Sequence, residues 1–132
     1  MPTPAKYLLC CAAVLLCLAT GLGAYASHGL QNFSPQALTA VHTAINYQFF
    51  HGLGLVGVAL LIDRFPAGRG LRLAAWLLVA GIVLFSGSIF ADRLLGFEVL
   101  GRLAPTGGLC LMAGWLALAW SALRLGTRVE HR

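Results

Sequence analysis

Apolar residues run almost unbroken through four stretches of this chain, at about 7–27, 42–62, 71–91 and 105–123, and the hydrophilic residues gather between them. Each run is close to the ~20 residues that an α-helix needs to cross a bilayer, so the pattern predicts four transmembrane helices. The second helix starts ahead of its apolar run. Ser34-Pro35 supplies a capping hydroxyl and a proline suited to the first helical position. The helices expected from these signals are 7–27, 35–62, 71–91 and 105–124. The link 63–70 is a short polar turn broken by Pro66, Gly68 and Gly70. The link 92–104 mixes charges with apolar residues and is too short to cross. It reads as an interfacial segment, in which Glu98 and Arg102 are spaced for an i,i+4 pair.

Composition agrees. Of 132 residues, 59% are hydrophobic and 10% charged, and the mean hydropathy is +0.83, values outside the range of a soluble domain. The expected class is an all-α membrane protein, a single domain over 1–132 forming a four-helix bundle. Nine Lys and Arg against four Asp and Glu give a formal charge of +5. Twelve of the thirteen lie outside the apolar runs and Arg72 sits at the edge of the third, with no basic stripe that would suit nucleic acid. With the N-terminus inside, Lys6, Arg64, Arg69, Arg72, Arg124, Arg128 and Arg132 fall on the cytoplasmic side and only Arg93 and Arg102 opposite. The positive-inside rule then puts both termini in the cytoplasm, in a multi-pass protein of the cell inner membrane. Lys6, an apolar core and Ala24-Tyr25-Ala26 also outline a secretory signal, but the apolar stretch outruns the usual signal core.

Polar residues inside the runs are the places where chemistry would sit. Tyr47, Gln48 and His51 lie in the second helix, Ser86 and Ser88 in the third, and His28 closes the first. On the expected topology all belong to the outer half of the bundle, and Tyr47, Gln48 and His51 are expected on one face. They outline a polar pocket able to hold a proton, an ion, or a quinone or lipid head group. The competing reading is interhelical glue, each bond contributing ~0.6–2 kcal/mol. Pro105, Gly107 and Gly108 mark the start of the fourth helix. Ala13, Cys17 and Gly21, and Ala113, Ala117 and Ser121, form small-residue seams for helix packing. Trp115 sits deep enough in its helix for the core. Cys10, Cys11, Cys17 and Cys110 contain no CxxC and read as small apolar residues, so no metal site is expected. A triad of Ser86 or Ser88 with His51 and Asp92 lacks any nucleophile-elbow pattern, and no catalytic residue is assigned. Ligation of haem by His28 and His51 would require both in one cavity, without an attachment motif.

Four ordered motifs carry a resemblance: Gly23-Ala24-Tyr25-Ala26-Ser27-His28-Gly29-Leu30, Tyr47-Gln48-x-x-His51, Phe85-Ser86-Gly87-Ser88, and Pro105-Thr106-Gly107-Gly108 followed by Gly114-Trp115. Over nearly its whole length the chain resembles the domain of unknown function 423 family, small membrane proteins that include YgdD-like inner-membrane proteins and transmembrane protein 256. The first motif is similar to the family's G-A-F-G-A-H-x-L and departs from it at Ala26 and Ser27. The resemblance implies several membrane spans, sets the apparent cleavage site inside a family motif, and brings no established activity. The expected function is a non-enzymatic accessory or interaction protein. Its partners are the lipid bilayer and a homo-oligomer or larger membrane complex. The alternatives are a proton or small-solute transporter working as an oligomer, and a redox module binding haem or quinone. The residues themselves name no cofactor.

Overall fold

The computed structural model describes residues 1–66 and 68–126; Arg128 and Arg132, counted above for orientation, lie outside them. Helix α1 spans Thr3–Gly29, α2 Pro35–Arg64, α3 Arg69–Ile82, α4 Ser88–Leu95, α5 Glu98–Gly101 and α6 Ala104–Gly126. Between α3 and α4 the chain does not break. Val83–Gly87 forms one wide π-helical turn, so Arg69–Leu95 acts as a single span. Four helical stretches are long and apolar enough to cross a membrane, and the described residues contain no strand. The fold is an all-α bundle of four such helices, as the hydropathy pattern predicts.

Helix ends follow local chemistry. Ser34 Oγ accepts from the Ala37 amide at 3.2 Å, and Pro35 occupies the first turn of α2, which satisfies an amide otherwise left without a partner. At its 30 residues, α2 is ~45 Å long. Gly96 ends α4 with φ 77°, the left-handed conformation that glycine takes without a Cβ clash. The turn between α2 and α3 is tied by the Arg72 guanidinium, which donates to the Pro66 carbonyl at 2.6 Å. At the same end the N-terminal ammonium lies 3.8 Å from Asp63. At the far end Asp92 pairs with Arg93 at 3.4 Å. Glu98 and Arg102 form no ion pair, because α5 is a single turn that ends before Arg102.

In space α1 packs on α2, α2 on α3, and α3 on α6. The seam on α1 differs from the one expected. Ala13, Cys17 and Gly21 all face outward, whereas Ala5, Ala12, Ala19 and Ala26 are buried. A seven-residue spacing keeps those alanines against a straight neighbour, as in a coiled coil, and a four-residue spacing drifts around the helix. Leu8, Leu15 and Leu22 fall between them and pack against the core. On α6 the buried positions are Gly107, Leu111, Gly114 and Ser121, with Ala113 exposed and Ala117 half-buried. Two apolar clusters result. One, around Leu55, Ile62, Leu71 and Leu78, holds the middle and the basic end. The other, around Ala26, Leu30, Val41 and Ile45, joins α1 and α2 to Phe90 and Leu94 beyond the wide turn.

Candidate functional site

The polar residues of the spans do not form one pocket. Tyr47 and His51 are four apart and share a face, but Gln48 lies ~100° further round the helix from Tyr47 and points to α1. Its Nε2 donates to the Leu15 carbonyl at 2.7 Å, and the side chain is 4% exposed. Ser86 Oγ donates across to the Ala44 carbonyl of α2 at 2.7 Å and is fully enclosed. Ser88 Oγ turns back to the Phe85 carbonyl of its own span at 2.9 Å. His51 Nδ1 lies 2.6 Å from the Tyr47 carbonyl. His28 is exposed at the end of α1. Level with the start of α2, it is separated from His51 by roughly 20 Å along the helix axis at 1.5 Å per residue. One iron cannot take both imidazoles at bonding distance. The serine triad is likewise not assembled, since Ser86 is spent on α2 backbone and Asp92 on Arg93.

What the structure does bring together is three of the four sequence motifs, around the wide turn. The Tyr47 ring stacks on Phe85 at 4.5 Å between centroids. It also lies 5.3 Å from His51, and His51 lies 6.1 Å from Trp115. Against the other side of the turn lies Gly107. A Cβ built there would sit 2.6 Å from the Leu84 carbonyl carbon and 2.8 Å from Phe85 Cα, so α6 meets the π segment backbone to backbone. A π turn widens the helix and offers such unusual approaches. Here it presents Ser86 to α2, while Phe85 lies between Tyr47 and the start of α6.

Where α2 and α6 flank this turn they leave a groove of about 600 Å³. Tyr47, Phe50 and His51 form one wall, and Leu109, Met112 and Trp115 the other. Phe85, Pro105 and Gly108 also line it. Trp115 therefore belongs to the groove rather than the core, at 41% exposed. Its ring reaches α2 over Gly54, where an added Cβ would come within 2.7 Å of it. Of the candidate residues, Tyr47, His51, Pro105 and Gly108 line the groove, and Gln48, Ser86, Ser88, His28 and Gly107 do not. Among the described residues no group of three or more His, Cys, Asp or Glu could hold a metal ion. The groove's aromatic wall escaped the sequence reading. Phe50, Met112 and Trp115 differ in no way from lipid-facing residues until the helices are placed.

A family model described as Protein of unknown function (DUF423) matches residues 22–108, a range that contains Tyr47, His51, the wide turn and Pro105 to Gly108. The chain belongs to this family. It is 36% identical over 120 residues to the UPF0382 membrane protein YwdK of Bacillus subtilis, covering 90% of this chain and 98% of that protein. It is 36% identical over 104 residues to a UPF0382 membrane protein of Haemophilus influenzae, covering 78% and 82%. Over 114 residues it is 39% identical to the UPF0382 membrane protein C1782.12c of Schizosaccharomyces pombe, covering 81% and 93%. No solved structure matches. These relatives are named as membrane proteins, in agreement with the four spans, and their names carry no activity.

Proposed function

We propose that this DUF423 protein is a non-enzymatic accessory or interaction protein of a larger membrane system. One observation carries the reading: Gln48, Ser86, Ser88 and His51 each engage a backbone carbonyl within the bundle. Polar side chains that carry an ion or a proton across hydrocarbon must exchange partners along a path. Here Gln48 and Ser86 are instead fixed on the backbone of a neighbouring helix, the role of interhelical glue, and Ser88 and His51 Nδ1 on carbonyls of their own spans. With the four spans taking up nearly all the described residues, the surface available to a partner is mostly membrane-facing helix.

Two measurements test the reading together. Membranes solubilised in a mild detergent should show the protein migrating with a complex larger than its own oligomers. Purified protein in liposomes should show no flux of protons, potassium or small polar solutes above protein-free vesicles. A flux that His51→Ala removes from an otherwise folded protein would establish transport instead.

A further inference from the structure

The groove between α2 and α6 lies at a depth that narrows what could occupy it. From His51 to Pro35 is ~24 Å along α2, and to Arg64 ~20 Å, which puts the imidazole at the middle of the span. A phospholipid head group stays at the interface, so a group beside His51 lies within hydrocarbon, while the Pro105 end of the groove, at the first turn of α6, opens toward the interface. The walls supply Tyr47, Phe50, Phe85 and Trp115, rings that pack by offset or edge-to-face contact with another flat ring. A volume of about 600 Å³ suits a small-molecule site.

The polar groups narrow it further. The Tyr47 carbonyl can only accept, so the 2.6 Å contact requires the proton on His51 Nδ1. In the neutral form of the ring Nε2 is then a bare acceptor, and no group among the described residues donates to it. In hydrocarbon no water completes that bond. We propose that the groove binds the hydroxyl-bearing ring of a membrane-dissolved hydroquinone. One hydroxyl donates to His51 Nε2, and the ring lies among the aromatic side chains. The Tyr47 hydroxyl, also without a partner among the described residues, serves the ring's second oxygen. The oxidised quinone offers two carbonyl acceptors and nothing to donate, so the site favours the reduced form. A ligand of this kind is compatible with the accessory role and does not depend on it.

The test uses the full chain in lipid nanodiscs without oxygen and measures the excess of a decyl-tailed benzohydroquinone retained over empty discs. A saturable excess of one molecule per chain is expected. The dimethyl ether of the same compound keeps the ring and tail but loses the donor, and should bind about tenfold more weakly, the worth of one neutral hydrogen bond. His51→Phe should weaken the hydroquinone by a similar factor and make the two probes equal. Gly108→Leu, at a position where an added Cβ meets only Phe85 Cδ2, at 3.8 Å, should fill the groove and remove the excess. Equal retention of the two probes by the unaltered protein, retention unchanged in Gly108→Leu, or no saturable excess would each overturn the proposal. Absence of a larger complex in native membranes would sink the accessory role and leave these isotherms as they are.

Discussion

Replacing Gly107 with alanine should loosen the bundle, although glycine to alanine within a helix ordinarily stabilises it by up to ~1 kcal/mol. The obstacle is backbone: the new Cβ would stand 2.6 Å from Leu84 C and 2.8 Å from Phe85 Cα. Carbon atoms pack best at ~3.5–4.0 Å, so relief of the shorter contact requires α6 to withdraw by roughly 0.9–1.4 Å. The same seam includes Gly81 against Leu111 and Gly114 against Leu78, and those contacts part together. Overpacking of this kind costs about 1–3 kcal/mol, which exceeds the helical gain. The matched control is Gly57→Ala, a position with nothing within 4 Å of the added methyl. Equilibrium unfolding in mixed micelles titrated with sodium dodecyl sulfate should rank Gly107→Ala below the unaltered protein by about 1–2 kcal/mol. Gly57→Ala should be level with it or above. If the two alanine variants proved equally stable, α6 would not meet the π segment at backbone distance.

Three further outcomes follow from the described contacts. Ser86→Ala removes the enclosed bond to Ala44 and should cost about 0.6–1.7 kcal/mol in the same unfolding assay, with Gln48→Leu within a similar range. Gly54→Val pushes the Trp115 ring off α2, which should shift tryptophan emission in a Trp76→Phe, Trp120→Phe background and weaken hydroquinone retention; unchanged emission would contradict that contact. If the basic residues set the topology, a green fluorescent protein fused to the C-terminus should fluoresce and an alkaline phosphatase fused there should be inactive. The reverse pair of results would invert the orientation.

The spans were legible because hydrophobic length alone decides them, and the start of α2 because Ser34 and Pro35 mark it chemically. The alanine seam of α1 was legible in principle. Ala5, Ala12, Ala19 and Ala26 stand seven apart in the sequence, but the shorter repeat of Ala13, Cys17 and Gly21 drew the reading to the opposite face. Gln48 was misplaced for an equally simple reason: adjacency to Tyr47 in sequence is a third of a turn in space. The wide turn at Val83–Gly87 had only a weak local signal, Ser86-Gly87-Ser88. The run around it is apolar, without proline, and its widening goes with contacts to Ala44, Tyr47 and Gly107, which are distant in sequence. The groove depends on that turn and was illegible with it.

The π turn also bears on how many residues this span can contain. One residue added to or removed from a regular α-helical stretch rotates everything beyond it by about 100°. The wide turn holds one residue more than an α-helical turn, so removing one of residues 83–87 would let the span close to plain α-helix with Phe90 and Leu94 still facing the cluster around Leu30 and Ile45. Any lineage descending from this chain can therefore absorb a single-codon deletion in the turn without turning the end of its third helix away from its neighbours; what it gives up is the widening that presents Ser86 to α2.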